Sequence, residues 1–239
     1  MTVFTREQAM LKQLMVFGMM LSFCCFARAN PVCGGENTPV IAPPRLPLEQ
    51  GRIEAWDISA ETCLQNFPSI KGRLVKALRY ADATGDNVIL LAETGVRKQK
   101  LDQYGTTGLS KRLYARRFRA DQANAQPVWQ ITDGVRDCET SLTAAFIPEA
   151  LHVTDLDNNG VAEVWTGYQL ACHGDVSPAN MKIIMYEGGQ KYAMRGTTLI
   201  RMPGEESLGG TGKMDAAFIN GPAVFRDHAD RLWLEYRTR

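Results

Sequence analysis

Leu151-His152-Val153-Thr154-Asp155-Leu156-Asp157-Asn158-Asn159-Gly160-Val161-Ala162-Glu163-Val164-Trp165-Thr166-Gly167-Tyr168 sets two β-prone runs on either side of a short polar loop. Within the loop, oxygen-bearing side chains recur at positions 1, 3, 5 and 9, counted from Asp155, with glycine at 6. Alternate side chains of a curling loop point inward, and a hard cation such as Ca²⁺ takes about 6–8 oxygen ligands at about 2.3–2.6 Å. Gly160 permits a sharp backbone turn that a Cβ would obstruct. The spacing therefore predicts a calcium-type site formed by Asp155, Asp157, Asn159, the carbonyl of Val161, and Glu163. The alternative is a polar hairpin loop, because Asn-Gly is itself a strong turn signal.

The loop is not an EF-hand. That pattern needs a bidentate Glu at position 12 and a helix on each side, whereas Thr166 stands there and the flanks read as strands. The nine-residue form between strands resembles the calcium loops of FG-GAP or VCBS-type β-propeller repeats, Asp-x-Asp-x-Asp-Gly-x-x-Asp. Asp155, Asp157, Asn159 and Glu163 stand at its ligand positions. Asn159 and Glu163 depart from its residue types, lowering formal charge at one position and lengthening reach at the other.

Away from the loop the chain keeps a β rhythm. From Arg73 residues alternate toward the turn Asp82–Asp86. Val88–Leu91 is a buried run, a polar connection spans Arg97 to Ser110, Arg112–Arg119 is a strand with Tyr114 and Phe118 on one face, and Gln126–Ile131 closes at Asp133-Gly134. A strand at about 150–154 leads into the loop, a longer one follows at about 162–172, and Met181–Tyr186 and Lys191–Arg195 form a hairpin around Gly188-Gly189. The halves can be overlaid. Asp82…Gly85…Glu93-Thr94-Gly95 aligns with Asp155…Gly160…Trp165-Thr166-Gly167, an offset near 70 residues that argues for a degenerate duplication. Phe225, Ala229, Leu232, Trp233 and Tyr236 fall on one face of an amphipathic helix starting near Pro222. The expectation is an all-β protein: two related four-stranded antiparallel meanders, propeller-blade-like and either open or sandwiched, at about 73–134 and 149–198, with a C-terminal α-helix at about 221–236.

Residues 1–29 read as an export signal. Arg6 and Lys12 precede or flank an apolar run from Leu14 to Phe26, and Ala27-Arg28-Ala29 fits the small-x-small cleavage rule. Lipidation at Cys24 is the alternative, with Phe23 standing where a small residue is wanted. The 239-residue chain carries 27 basic and 26 acidic residues. Losing Arg6, Lys12, Arg28 and Glu7 with the signal leaves 24 and 25, a balance that argues against a nucleic-acid binder. The mature chain is expected to be periplasmic or secreted, with no transmembrane segment once the signal is removed. Residues 30–72 form a Pro-rich arm and N-terminal segment. Cys33, Cys63, Cys138 and Cys172 remain after cleavage, an even number suited to an oxidising compartment. Three pairings are open, of which Cys33–Cys63 and Cys138–Cys172 are favoured.

Catalytic signals are sparse. His152, His173 and His228 show no partner at local spacing and read as structural. Gly209–Lys213 looks like a phosphate loop but has Ser207 and Met214 where that pattern wants glycine and a hydroxyl residue. The basic run Lys111, Arg112, Arg116, Arg117 and Arg119 reads as a solvated face, with contact to an anionic polymer as the functional alternative. Through Arg79-Tyr80-Ala81-Asp82-Ala83-Thr84-Gly85-Asp86-Asn87, Thr154–Asp157, Gly174–Pro178 and Met185–Tyr192, most of residues 70–236 resembles an exported Gram-negative family labelled as surface polysaccharide biosynthesis proteins. That resemblance implies a process, not a reaction, and supplies no catalytic residues. The functional expectation is a non-enzymatic binding or assembly protein of the bacterial envelope, linked to surface polysaccharide, with an envelope glycan or envelope protein as partner and one Ca²⁺ site. The rival is an envelope carbohydrate-processing enzyme drawing paired carboxylates from Asp155, Glu163, Asp175 or Glu187.

Overall fold

A computed structural model describes residues 53–58, 70–120 and 126–238. The expected signal segment, the Cys33–Cys63 bridge and a helical turn suggested by Ser59–Leu64 lie outside these residues.

The first sheet contains β1 (Ala55–Asp57), β2 (Arg73–Asp82), β3 (Gly85–Glu93), β4 (Arg97–Lys100), β5 (Thr107–Arg119) and β6 (Trp129–Cys138), all antiparallel. β3 and β4 lie along the same side of β5, β3 against Leu113–Arg119 and β4 against Thr107–Ser110. They act as one interrupted strand, and Thr94 bridges the break: its N–H donates to the Arg112 carbonyl at 2.9 Å and its hydroxyl accepts from Arg112 N at 2.9 Å. The core of the sheet is thus a four-stranded meander, β2, β3/β4, β5, β6. The second sheet repeats that topology with β7 (Leu142–Thr154), β8 (Glu163–Cys172), β9 (Asn180–Glu187) and β10 (Gln190–Thr197). Beyond these come β11 (Leu199–Ile200) and β12 (Leu208–Gly209), which pair with each other, and β13 (Gly212–Met214), which adds to the free edge of β10.

The two sheets pack face to face. Their inner faces share one core that includes Leu78, Tyr80, Ile89, Leu91, Leu113 and Trp129 from the first sheet and Phe146, Leu151, Val164, Tyr168, Ile184 and Tyr186 from the second. Of the open and sandwiched forms anticipated, the sandwich is the one adopted. β3 is apolar on both faces, with Ile89 and Leu91 in the shared core and Val88, Leu90 and Ala92 in an outer cluster with Phe118. This explains its unbroken apolar run. The outer face of the second sheet is covered by α1 (Ala216–Asn220) and α2 (Ala223–Tyr236). α2 buries Phe225, Ala229, Leu232, Trp233 and Tyr236, the stripe read from the sequence. Among the described residues no helix is long and apolar enough to cross a membrane.

Four details differ from the sequence reading. β7 starts at Leu142, well before residue 150, and carries a three-residue bulge between Ile147 and His152. The bulge reverses side-chain parity: Ala144 and Phe146 face the shared core before it, Leu151 and Val153 after it. Pro148, which cannot donate to a ladder, sits inside it. Lys76 on β2 donates to the Pro148 carbonyl at 3.1 Å and the Leu151 carbonyl at 3.3 Å, occupying acceptors within that bulge. Gly134 does not end β6. It lies mid-strand with φ 151°, where a Cβ would stand 2.2 Å from the Lys111 carbonyl oxygen. The stretch read as a polar connection contains β4, and short α1 precedes the expected helix under an Asp215 cap that accepts from Phe218 N.

Candidate metal loop and the three-turn cluster

The Asp155 loop joins β7 to β8 at the end of the sandwich where two other hairpin turns emerge, Asp82–Gly85 (β2–β3) and Glu187–Gln190 (β9–β10). Two positive-φ residues shape it, Asn158 at 58° and Gly160 at 80°. Asparagine tolerates that region better than other non-glycine residues, and glycine enters it without steric cost. The loop therefore curls back on itself, and one carboxylate oxygen from each of Asp155, Asp157 and Glu163 falls within 4.8 Å of the others.

Each carboxylate is held differently. Glu163 is fully buried and accepts from the Thr154 hydroxyl at 2.7 Å and from Leu156 N at 2.9–3.0 Å. Thr154 in turn accepts from the Trp165 indole at 2.8 Å, so the apolar cluster beneath the helices orients the chain of donors. Burial raises the Glu163 pKa above the usual carboxylate range; the Thr154 and Leu156 hydrogen bonds oppose that rise, and the charges of Asp157 and Asp155 add to it. Asp155 is 7% exposed, and its Oδ2 accepts from Gly160 N at 3.2 Å. Its Oδ1 is buried without a hydrogen-bond partner. An unpartnered carboxylate oxygen out of water is costly, and a bound cation is one group that would relieve it.

Asn159 stands beside the cluster. Its Nδ2 donates to Asp157 Oδ2 at 3.0 Å and to Glu187 Oε1 at 2.5 Å, while its Oδ1 accepts from Val161 N at 2.7 Å. The amide thus puts its positive edge between two carboxylates. Asp157 also accepts from Asn159 N at 3.2 Å. Val161 belongs to the loop through its backbone, and its side chain lies near Gly188 of the third turn.

The neighbouring turns lock onto this loop. Asp82 Oδ1 accepts from Thr84 N at 2.8 Å, the Thr84 hydroxyl at 2.6 Å and Asn87 Nδ2 at 3.2 Å; its Oδ2 accepts from Ala162 N at 3.0 Å. Ala83 N donates to the Gly160 carbonyl at 2.8 Å. Arg117, 3% exposed, donates to Asn87 Oδ1, the Thr84 hydroxyl and the Gly188 carbonyl, joining the first turn to the third. The sequence placed Arg117 in a basic solvated strand; the fold makes it a buried clamp. Its partners are 30 to 71 residues away, so no local spacing could have revealed this.

Other residues singled out from the sequence lie apart from the cluster. Asp175 is exposed and 3.8 Å from His173. Cys138 and Cys172 form a disulfide with Cα atoms 5.6 Å apart. His152 and His228, read as unrelated, are partners, with Nε2 atoms 2.8 Å apart against Trp165. Comparison of the chain with protein-family models, curated proteins and solved structures finds no match.

Proposed function

We propose that this protein is a non-enzymatic binding or assembly module of the bacterial envelope whose Asp155 loop takes one Ca²⁺. The observation that carries the metal reading is the buried, unpartnered Asp155 Oδ1 inside a group of three carboxylates whose oxygens lie within 4.8 Å. Asp155, Asp157 and Glu163 supply anionic ligands. The Asn159 amide oxygen and the Val161 carbonyl complete an all-oxygen donor set of the kind a hard cation prefers. The ion would take over the role now played by the Asn159 Nδ2 edge between Asp157 and Glu187. Its effect is structural: a charge at this point draws together the turns that Asp82 and Arg117 already link. The disulfide and the absence of a membrane-spanning helix among the described residues are compatible with an extracytoplasmic site of action. The link to surface polysaccharide rests on the family resemblance alone.

The carbohydrate-processing alternative has less support. Glycosidase carboxylates stand about 5–9.5 Å apart across a gap for sugar and water. Asp155 and Glu163 are closer than that and buried.

Melting curves with calcium and with chelator test the metal reading. At free calcium 100-fold above Kd, linkage stabilises the fold by about 2.7 kcal/mol, or on the order of 5–10 °C for a domain of this size. Asp157→Ala is expected to abolish the response while the protein stays folded. A wild-type curve indifferent to calcium would remove the metal from this reading.

A further inference from the structure

Strand register sets two glutamates against each other at the loop end of the second sheet. Glu163 opens β8, Glu187 closes β9, and the two are directly paired. Opposed residues of antiparallel strands project from one face with Cβ atoms about 4.5–5.5 Å apart, and like charges there are destabilising. Glu163 is fully buried and Glu187 half-buried, so salt and water screen the pair poorly.

The crowding extends beyond the pair. Asp155 and Asp157 bring carboxylate oxygens within 4.8 Å of one from Glu163. Glu187 meets this group from the neighbouring turn across a single amide. Asn159 Nδ2 lies 3.0 Å from Asp157 Oδ2 and 2.5 Å from Glu187 Oε1, so those two oxygens stand no more than about 5.5 Å apart. Two ligands on opposite sides of one Ca²⁺ stand about 5 Å apart, given Ca–O distances of about 2.3–2.6 Å. Every donor to the four carboxylates is neutral: the Thr154 hydroxyl, the Asn159 amide, three backbone N–H groups, and the Tyr192 hydroxyl, 3.4 Å from Glu187 Oε2. Among the described residues none of the four forms an ion pair. Neutral donors orient a carboxylate and leave its charge in place, and the buried Asp155 Oδ1 lacks even these.

We propose that Glu187 is a further Ca²⁺ ligand, supplied to the Asp155 loop by the β9–β10 turn, so that the ion clamps two hairpins together. This rests on the calcium reading above and adds a ligand that lies outside the loop's own spacing. The ion displaces the Asn159 Nδ2 edge from between Asp157 and Glu187 and removes the repulsion between Glu163 and Glu187. The third turn is then held from two sides, by the ion at Glu187 and by Arg117 at the Gly188 carbonyl. The site thereby becomes a property of the folded sheet: the loop supplies Asp155, Asp157 and Glu163, and strand pairing alone brings in Glu187.

The test is calorimetric titration of the full chain with Ca²⁺ after metal has been stripped by chelator and the chelator dialysed away. Wild type is expected to bind one Ca²⁺, and Glu187→Gln to bind it at least tenfold more weakly. Glu187→Asp keeps the charge but withdraws it by one methylene; a ligand cannot tolerate that and a bystander charge can, so a loss of at least fivefold is expected. Asp175→Asn, which removes an exposed carboxylate apart from the cluster, is expected to stay within twofold of wild type. Melting curves add a change of sign. In chelator Glu187→Gln is expected to melt at or above wild type, because the repulsion with Glu163 is gone, and in saturating calcium to gain less than wild type. Calcium binding by either Glu187 variant as tight as wild type, or an equal calcium gain in melting for Glu187→Gln, would overturn this proposal and leave the loop site standing. A wild type that takes up no Ca²⁺ would overturn the loop site and this ligand together.

Discussion

Arg231 sets the tautomers of a histidine pair that the sequence keeps 76 residues apart. Its guanidinium can only donate, so His228 Nδ1, 3.2 Å away, accepts. Neutral His228 then carries its proton on Nε2 and donates to His152 Nε2 at 2.8 Å. Protonating His152 puts a second donor into that contact, and protonating His228 puts a donor on the Nδ1 that faces the Arg231 guanidinium. Burial, followed by the charges of His152 and Arg231, lowers the His228 pKa to about 4. Burial also lowers that of His152; a hydrogen bond to the Ala150 backbone opposes this, Lys76 adds to it and Glu235 opposes it. The unfolded chain therefore binds more protons than the folded chain between about pH 6.5 and about 4. Stability from the neutral pair is full above that window and is lost as pH falls through it. His228→Gln keeps a donor beside His152 and removes one titration. Thermal melts from pH 7 to pH 4 are expected to show a shallower decline for the variant; parallel curves would assign the acid sensitivity elsewhere. The metal-loop carboxylates were legible because their ligand spacing is local. The histidine pair and the Arg117 clamp were not, because only tertiary packing brings their partners within reach.

Strands with one buried face or a long apolar run were legible in the sequence; strands at edges and bulges were not. β4 (Arg-Lys-Gln-Lys) is exposed at every position, so no alternation marks it. In β7 the three-residue bulge puts Phe146 and Leu151 on the same face at an odd spacing, which breaks the period-two signal. In β6, Gly134 gives a local turn cue that the close approach of β5 overrides. A second such approach joins β10 to β13, where Gly196 pairs with Gly212. A Cβ on Gly196 would lie 1.9 Å from the Thr211 carbonyl oxygen and 2.8 Å from Gly212 Cα, so both strands would have to part. Gly196→Ala is expected to cost about 2 kcal/mol. Gly95, where an added Cβ meets nothing within 4 Å, is the control, and its alanine variant is expected to stay within about 0.5 kcal/mol of wild type. Urea midpoints compare the two directly. Equal midpoints would mean that β13 does not hold the edge of β10.

The sandwich as a whole rests on two non-covalent contacts and one covalent tie. The shared core joins the broad inner faces, and the turn cluster around Asp82, Arg117 and the Asp155 loop joins one end. At the last residues of β6 and β8, one in each sheet, Cys138–Cys172 supplies the covalent link. The even cysteine count made a bridge legible, but whether the halves would lie open or stacked depended on which face of each meander carried the larger apolar surface. That became ambiguous where β3 and β8 are buried on both sides. The bridge closes a loop of 34 residues that contains β7, the metal loop and most of β8. Chain-entropy arguments give about 4 kcal/mol for a loop of this length, acting mainly on the unfolded ensemble. Cys138→Ala/Cys172→Ala is therefore expected to melt about 8–15 °C lower while keeping any calcium response, because the bridge and the proposed metal site lie at opposite ends of β8. Chemical denaturation of wild type and variant, each with calcium and with chelator, separates the two contributions. If they are independent, the variant's deficit is the same in both conditions. A deficit that vanishes in calcium would show that the ion and the disulfide restrict the same motion of β7 against β8.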